Sequence, residues 1–443
     1  MATELLSPAG TLKSMRYGFA YGADAVYAGQ PRYSLRVRNN EFNKLENIGA
    51  AIVEAHDAGK KFYLASNVSP HNDKVRSYLR DLEPVIAMRP DALIMSDPGL
   101  IMLVRERWPD QEIHLSVQAN AVNYATVRFW ANNGVKRVIL SRELSINEIE
   151  EIQQQCPDVE LEVFVHGALC IAYSGRCLLS GYMSHRDSNQ GACTNTCRWE
   201  YNVHEAKENE TGELIAASNT AQNWAPHEEV EPVLLQEKHR PGEYMPAYED
   251  EHGTYIMNSK DLRAVQHVQR LVQIGVKSLK IEGRTKSHYY AARTAQIYRA
   301  AIDAAERGEA FDMNWMAELD HLANRGYTEG FYRRHVPSEY QNYEEGVSSN
   351  INQQFVGEIM KVDMERGSLT VDVKNKFCVN DKMQLITPEG NIEFALQGIV
   401  DKHGNQVESA PGSGHVVRFS TSDLGQQKLS QQAFDYGLLM RHR

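Results

Sequence analysis

The feature that most limits how this chain can fold is an alternation. Across the first 170 residues, short apolar runs trade places with amphipathic segments. Candidate strands are Glu4–Ser7, Ala25–Gly29, Lys61–Asn67, Ala92–Asp97, Glu112–Gln118, Arg137–Leu140 and Glu160–Gly167. Segments such as Leu12–Tyr21, Leu45–Ala58, Val75–Met88 and Ile146–Gln155 lie between them. Nearly continuous apolar strands separated by helices predict a parallel sheet covered on both faces. An eighth strand fits at Lys277–Gly283, followed by a helix over His288–Arg307. Eight such units predict an α/β fold of the (β/α)8 barrel type, with an open doubly wound sheet as the alternative.

A barrel places its site at the carboxyl ends of the strands. Those ends are polar here: Ser66 and Asn67, Ser96 and Asp97, Ser116 and Gln118, Arg142 and Glu143, His166, and Glu282 with Arg284. Any one of them is ordinary, but their recurrence after six strands predicts a pocket.

The alternation breaks between the seventh and eighth strands, at about residues 168–254, which read as an insertion. It carries four cysteines and then an acidic stretch. Residues 198–251 hold 13 acidic and 4 basic side chains, so most of the chain's net charge of −11 sits there. Such a block reads as a solvated face, and the near-neutral remainder leaves a nucleic-acid partner open. The barrel domain is expected over residues 1–335 and a linker over 336–353. Residues 354–443 follow as short strands separated by turns such as Pro388-Glu389-Gly390, predicting a small antiparallel β-barrel. No run approaches the roughly 18 apolar residues of a membrane helix. The amino terminus lacks a signal-peptide pattern, so the expected location is the cytoplasm, with no membrane partner.

Cys170, Cys177, Cys193 and Cys197 form a C-x6-C-x15-C-x3-C pattern. Clustered thiols in a chain without an export signal point to metal or redox chemistry rather than disulfides. Structural zinc favours two to four residues between paired cysteines, which the first spacing does not offer. An iron–sulfur cluster is the favoured reading; zinc and a metal-free cluster of thiols are the others. Cys156 and Cys378 lie apart and read as buried bystanders.

The run EVFVHGALCIAYSGRCLLSGYM closely resembles the signature of the collagenase-like peptidases, family U32. NQGACTNTCRWEY, YIMNSKDL and LKIEGRTKSHYYAARTAQIYRAAID resemble the same family, and the likeness spans essentially the whole chain. It implies more than the name "peptidase". Several members act in oxygen-independent hydroxylation with a 4Fe-4S cluster and prephenate as co-substrate. The length and domain layout are similar to members that hydroxylate the wobble uridine of tRNA. The resemblance implies Cys170, Cys177 and Cys193 as cluster ligands, with Cys197 chosen as the fourth.

Prephenate carries two carboxylates, which paired arginines recognise. Arg36, Arg38, Arg142 and Arg284 are the candidates, with Asn67 among the binding residues. His166, Glu282 and Gln118 are the catalytic candidates, the first two for proton transfer. Expected partners are tRNA, prephenate and an electron-donor protein. Two other functions remain open at this point. A metal-dependent peptidase needs a metal site and a base, yet the chain has no H-E-x-x-H. A non-catalytic, cluster-bearing partner protein is the third reading.

Overall fold

A computed structural model describes residues 2–35, 41–169, 206–208, 214–216, 233–235, 245–250, 253–255, 261–322, 326–333, 353–425 and 429–442. Eight parallel strands close into a barrel: β1 (Glu4–Pro8), β2 (Ala25–Gly29), β3 (Lys61–Ser66), β4 (Ala92–Met95), β5 (Ile113–Leu115), β6 (Arg137–Ile139), β7 (Glu160–Ala168) and β8 (Ser278–Ile281). Closure rests on β8. Its Ser278 pairs with Glu4 of β1 on one side and Glu162 of β7 on the other, both parallel. That second pairing excludes the open sheet.

Among the described residues, helices follow the strands around the barrel: α1 (Leu12–Ala20), α2 (Leu45–Asp57), α3 (Asn72–Ala87), α4 (Pro98–Arg107), α5 (Tyr124–Asn132), α6 (Ile146–Gln155), α7 (Val268–Ile274) and α8 (His288–Glu306). Their starts are written locally. Asp97 caps α4 by accepting from the Leu100 N–H, with Pro98 at the first turn. Ser145 and Glu148 form a capping box on α6. Strands such as β2, buried at all five positions, are apolar because helices cover one face and the barrel interior the other.

Two additions to the barrel lie outside the sequence-based expectation. Asp261–Arg263 pairs antiparallel with the end of β7, and Tyr327–Thr328 pairs with it in turn. The pairing beside β8 also contains a bulge. Phe164 faces Lys280 and His166 faces Ile281, which leaves Val165 as an extra residue in β7.

The carboxyl-terminal part is an antiparallel sheet around its own apolar core, which includes Val371, Phe377, Leu385 and Leu439. It begins with β9 (Gln353–Asp363) and ends with β10 (Leu438–His442), which pair with each other. The last residues therefore contribute both a short helix, Gln431–Asp435, and this strand. Ile386, Leu438 and Met440 join the barrel's core, so the two parts share buried surface. Polar contacts add direction. The Tyr21 hydroxyl donates to the carbonyls of Ile386 and Tyr436 at 3.0 and 2.8 Å. Tyr289 stacks on Phe355 at 5.0 Å.

Candidate active site at the barrel mouth

The barrel interior is charged. At its lower end Arg137 donates to Glu4 at 2.6 Å and pairs with Glu160 and Glu162 at 2.8 and 3.2 Å. Lys280 continues the column, with its Nζ 2.8 Å from Glu162. Tyr63 and Ser278 donate to Glu4 at 2.8 and 3.1 Å. Arg137 and Glu162 are at most 1% exposed, so each charge depends on these partners. Burial alone would raise the Glu4 carboxyl; Arg137 overrides it and brings the group down to about 2. Burial likewise opposes ionisation of Glu162, and Lys280 and Arg137 hold it below the ordinary carboxylate range.

Above this column the carboxyl ends of the strands gather the expected side chains. The Arg142 Nη2 lies 3.7 Å from Glu282 Oε2, and its Nη1 donates to the Ala168 carbonyl at 3.2 Å. Arg284 donates to Ser34 Oγ at 2.7 Å. Asn67 accepts from the Leu35 N–H at 3.4 Å and donates to Ser116 Oγ at 3.1 Å. The Gln118 N–H donates to the same hydroxyl at 3.4 Å. Arg284, Asn67 and Gln118 are thus linked around the rim through β2, β3 and β5, while Arg142 and Glu282 meet across β6 and β8. Two glycines make room. A Cβ on Gly29 would lie 2.9 Å from Arg284 Nη1. A Cβ on Gly167, whose φ is +103°, would lie 2.3 Å from the Glu282 carbonyl.

His166 does not join this group. Side chains of Glu162 and Phe164 turn into the barrel, and strict alternation would send His166 after them. The extra Val165 reverses the sidedness. The ring of His166 instead packs among Tyr290, Tyr298 and Tyr327, with centroids 5.4–5.8 Å away. Its Nδ1 lies 3.3 Å from the Tyr298 hydroxyl. Burial, with Arg263 and Lys286 adding to it, pushes the imidazole down to about 3.

Arg36 and Arg38 lie outside the described residues, as do Cys170, Cys177, Cys193 and Cys197. The described chain does lead to the cysteines: β7 ends at Ala168, whose carbonyl Arg142 holds, and Cys170 follows two residues on. Four thiols are the donor set that an iron–sulfur cluster takes. Cys156 is buried at the end of α6.

Sequence reasoning missed four residues that shape the mouth: Tyr27, Phe164, Glu162 and Lys280. A signal was present. Charges at alternate positions inside strands covered on both faces can only point into the barrel, where they must be paired.

The mouth can therefore fix anionic groups on Arg142 and Arg284 and hold a carboxylate, Glu282, beside Arg142. Comparisons with known proteins place this arrangement in a family. The model of "Peptidase family U32" matches residues 10–342, and that of its carboxyl-terminal domain matches 351–441. The chain is 60% identical to tRNA hydroxylation protein P of Escherichia coli (strain K12), over 99% of this chain and 96% of that protein. It is 58% identical to the protein of the same name from Haemophilus influenzae, with the same coverage. A more distant relative, the 23S rRNA 5-hydroxycytidine C2501 synthase of E. coli, is 30% identical over 77% of this chain and 44% of its own length. The chain belongs to peptidase family U32, across both the barrel and the carboxyl-terminal domain.

Proposed function

We propose that this chain is an RNA-modifying hydroxylase that makes 5-hydroxyuridine at position 34 of tRNA. In this reading the reaction is independent of oxygen, takes prephenate as co-substrate and uses a 4Fe-4S cluster. The observation that carries it is the 60% identity to tRNA hydroxylation protein P over nearly all of both chains. The mouth supports the choice of co-substrate, because two carboxylates match two arginines carried at the carboxyl ends of the strands.

The geometry supports a set of roles. Arg142 and Arg284 receive the carboxylates of prephenate. Glu282, 3.7 Å from Arg142, is placed to hold or release a proton beside the bound acid. Asn67 and Gln118 lie on the other side of the rim. The target uridine leaves the anticodon stack to reach them, since a stacked base exposes too little of its edge for chemistry. Cys170, Cys177, Cys193 and Cys197 would hold the cluster, which supplies one-electron chemistry when bound. An electron-donor protein completes the set of partners, and the proposed location is the cytoplasm. Among the described residues no helix is long and apolar enough to cross a membrane.

The cluster is tested by purifying the full-length protein without oxygen and recording its visible spectrum with iron and zinc content. A brown protein with about four irons per chain is the expected result. Replacing Cys193 by Ala should remove both the colour and the tRNA modification. A colourless, iron-free protein with stoichiometric zinc overturns this part of the reading.

A further inference from the structure

Two aromatic rings join the mouth to the charged interior. The Tyr27 ring lies 4.3 Å from Lys280 Nζ and 5.5 Å from the Arg284 guanidinium carbon. The Phe164 ring lies 3.9 Å from the Arg142 guanidinium carbon and 5.5 Å from the same Lys280 Nζ. One buried ammonium thus serves both rings, and each ring carries one of the two mouth arginines. Tyr27 is 3% exposed and Phe164 is 5% exposed, so these contacts are largely shielded from water.

Three cations in such a space repel one another, and the repulsion grows as water is excluded. Carboxylates offset part of it: Glu162 holds Lys280 and Glu282 stands beside Arg142. The negative faces of the rings offset more, because cation–π attraction strengthens when the cation is desolvated. The consequence is preorganisation. A free arginine surrenders several rotatable bonds on binding an anion; one seated on a fixed ring has already lost that freedom. Both rings are referred to one lysine, which is itself anchored through Glu162 to Arg137. The separation of the two guanidinium groups is therefore set from below.

Tyr27 does a second, separable thing. Its hydroxyl lies 3.2 Å from Glu282 Oε2 and 3.0 Å from the Ile281 carbonyl. The ring lies against the Arg284 guanidinium, while the phenol reaches the carboxylate that stands beside Arg142.

We propose that Tyr27 is a positioning residue for a dicarboxylate bound at the barrel mouth. Its ring fixes Arg284, its hydroxyl fixes Glu282, and Phe164 fixes Arg142 in the same way. The inference rests on the reading above, in which these two arginines receive the carboxylates of prephenate.

The test measures prephenate binding to full-length, anaerobically purified protein by calorimetry, alongside turnover on tRNA. Tyr27→Leu removes the ring and should weaken prephenate binding about ten-fold. Tyr27→Phe keeps the ring and should bind within about two-fold of wild type, yet lower kcat because Glu282 has lost a donor. A merely structural role would not separate binding from turnover in this way. A folded Tyr27→Leu protein with wild-type affinity overturns the inference while leaving the prephenate reading intact. Should that variant fail to fold, Phe164→Leu carries the same test: weaker binding supports the inference, and unchanged affinity overturns it. A wild-type protein that binds no prephenate overturns the reading itself, and the inference falls with it.

Discussion

At the scale of single residues, Gly167 shows how closely the site is built. Its φ of +103° lies where side chains are strained, and a Cβ would meet the Glu282 carbonyl at 2.3 Å. That carbonyl has little room to retreat. It accepts from the Tyr290 hydroxyl at 2.8 Å, and the Glu282 N–H donates to the His166 carbonyl at 2.8 Å. Gly167→Ala should therefore lower stability by at least about 2 kcal/mol in urea denaturation and displace Glu282 from Arg142. A variant as stable as wild type would show that the β7–β8 junction yields more easily than these contacts allow. The residue scale is also where sequence reading and structure part. Arg142, Arg284 and Glu282 were legible, because a polar residue just past an apolar strand has little reason to be there except the barrel's upper end. His166 looked equivalent. The bulge that turns it away arises from how β7 pairs with β8, and nothing in the run of residues from 160 to 167 encodes that slip on its own. Arg36, Arg38 and the four cysteines lie outside the described residues.

At the scale of elements, the strands were readable where both faces are covered and the composition is purely apolar, as in β2. Expected and observed bounds coincide there at Ala25–Gly29. They drift in β5, expected over Glu112–Gln118 and observed over Ile113–Leu115, because the chain turns into a short helix that starts at Val117. The small strands at Asp261–Arg263 and Tyr327–Thr328 were not legible, being two or three residues long and paired with β7 and each other across distant parts of the sequence. The charges of β1, β6, β7 and β8 were visible in the sequence, but their meeting in one column depends on barrel closure. That column makes a prediction. Glu162 pairs with both Lys280 and Arg137, and all three are buried. Glu162→Gln leaves two buried cations short of a partner and should cost about 3–5 kcal/mol in chemical denaturation. A cost below about 1 kcal/mol would mean that water or another carboxylate compensates.

At the scale of the whole molecule, one carboxylate pins the carboxyl-terminal domain to the barrel. Glu358 of β9 receives Lys13 from α1, His288 Nε2 at 3.0 Å from the start of α8, and Lys374 at 3.3 Å from its own sheet. Burial would raise its carboxyl, but His288 and Lys13 bring it from its ordinary 4.5 to about 2. A depressed carboxyl stabilises the folded state above its unfolded value and loses that contribution as it takes up a proton. Docking should thus be fully supported above about pH 4.5 and weaken as pH falls towards about 2. Glu358→Gln should lower the thermal midpoint at neutral pH and flatten the dependence of that midpoint on pH across this window. An unchanged pH profile would show that the shared apolar surface, not the ion cluster, holds the two parts together. The contacts run along α1 from Lys13 near its start to Tyr21 just past its end, so the second domain lies against the barrel's helical wall.

The central claim, hydroxylation of wobble uridine, is tested most directly by nucleoside mass spectrometry of tRNA. The host is a bacterium deleted for its own tRNA hydroxylation protein P and for any oxygen-dependent route, grown without oxygen and expressing this chain. The expected result is the return of 5-hydroxyuridine and the methoxy and carboxymethoxy nucleosides made from it, absent from the empty-vector control. Levels no higher than that control, with the folded protein present, would contradict the claim.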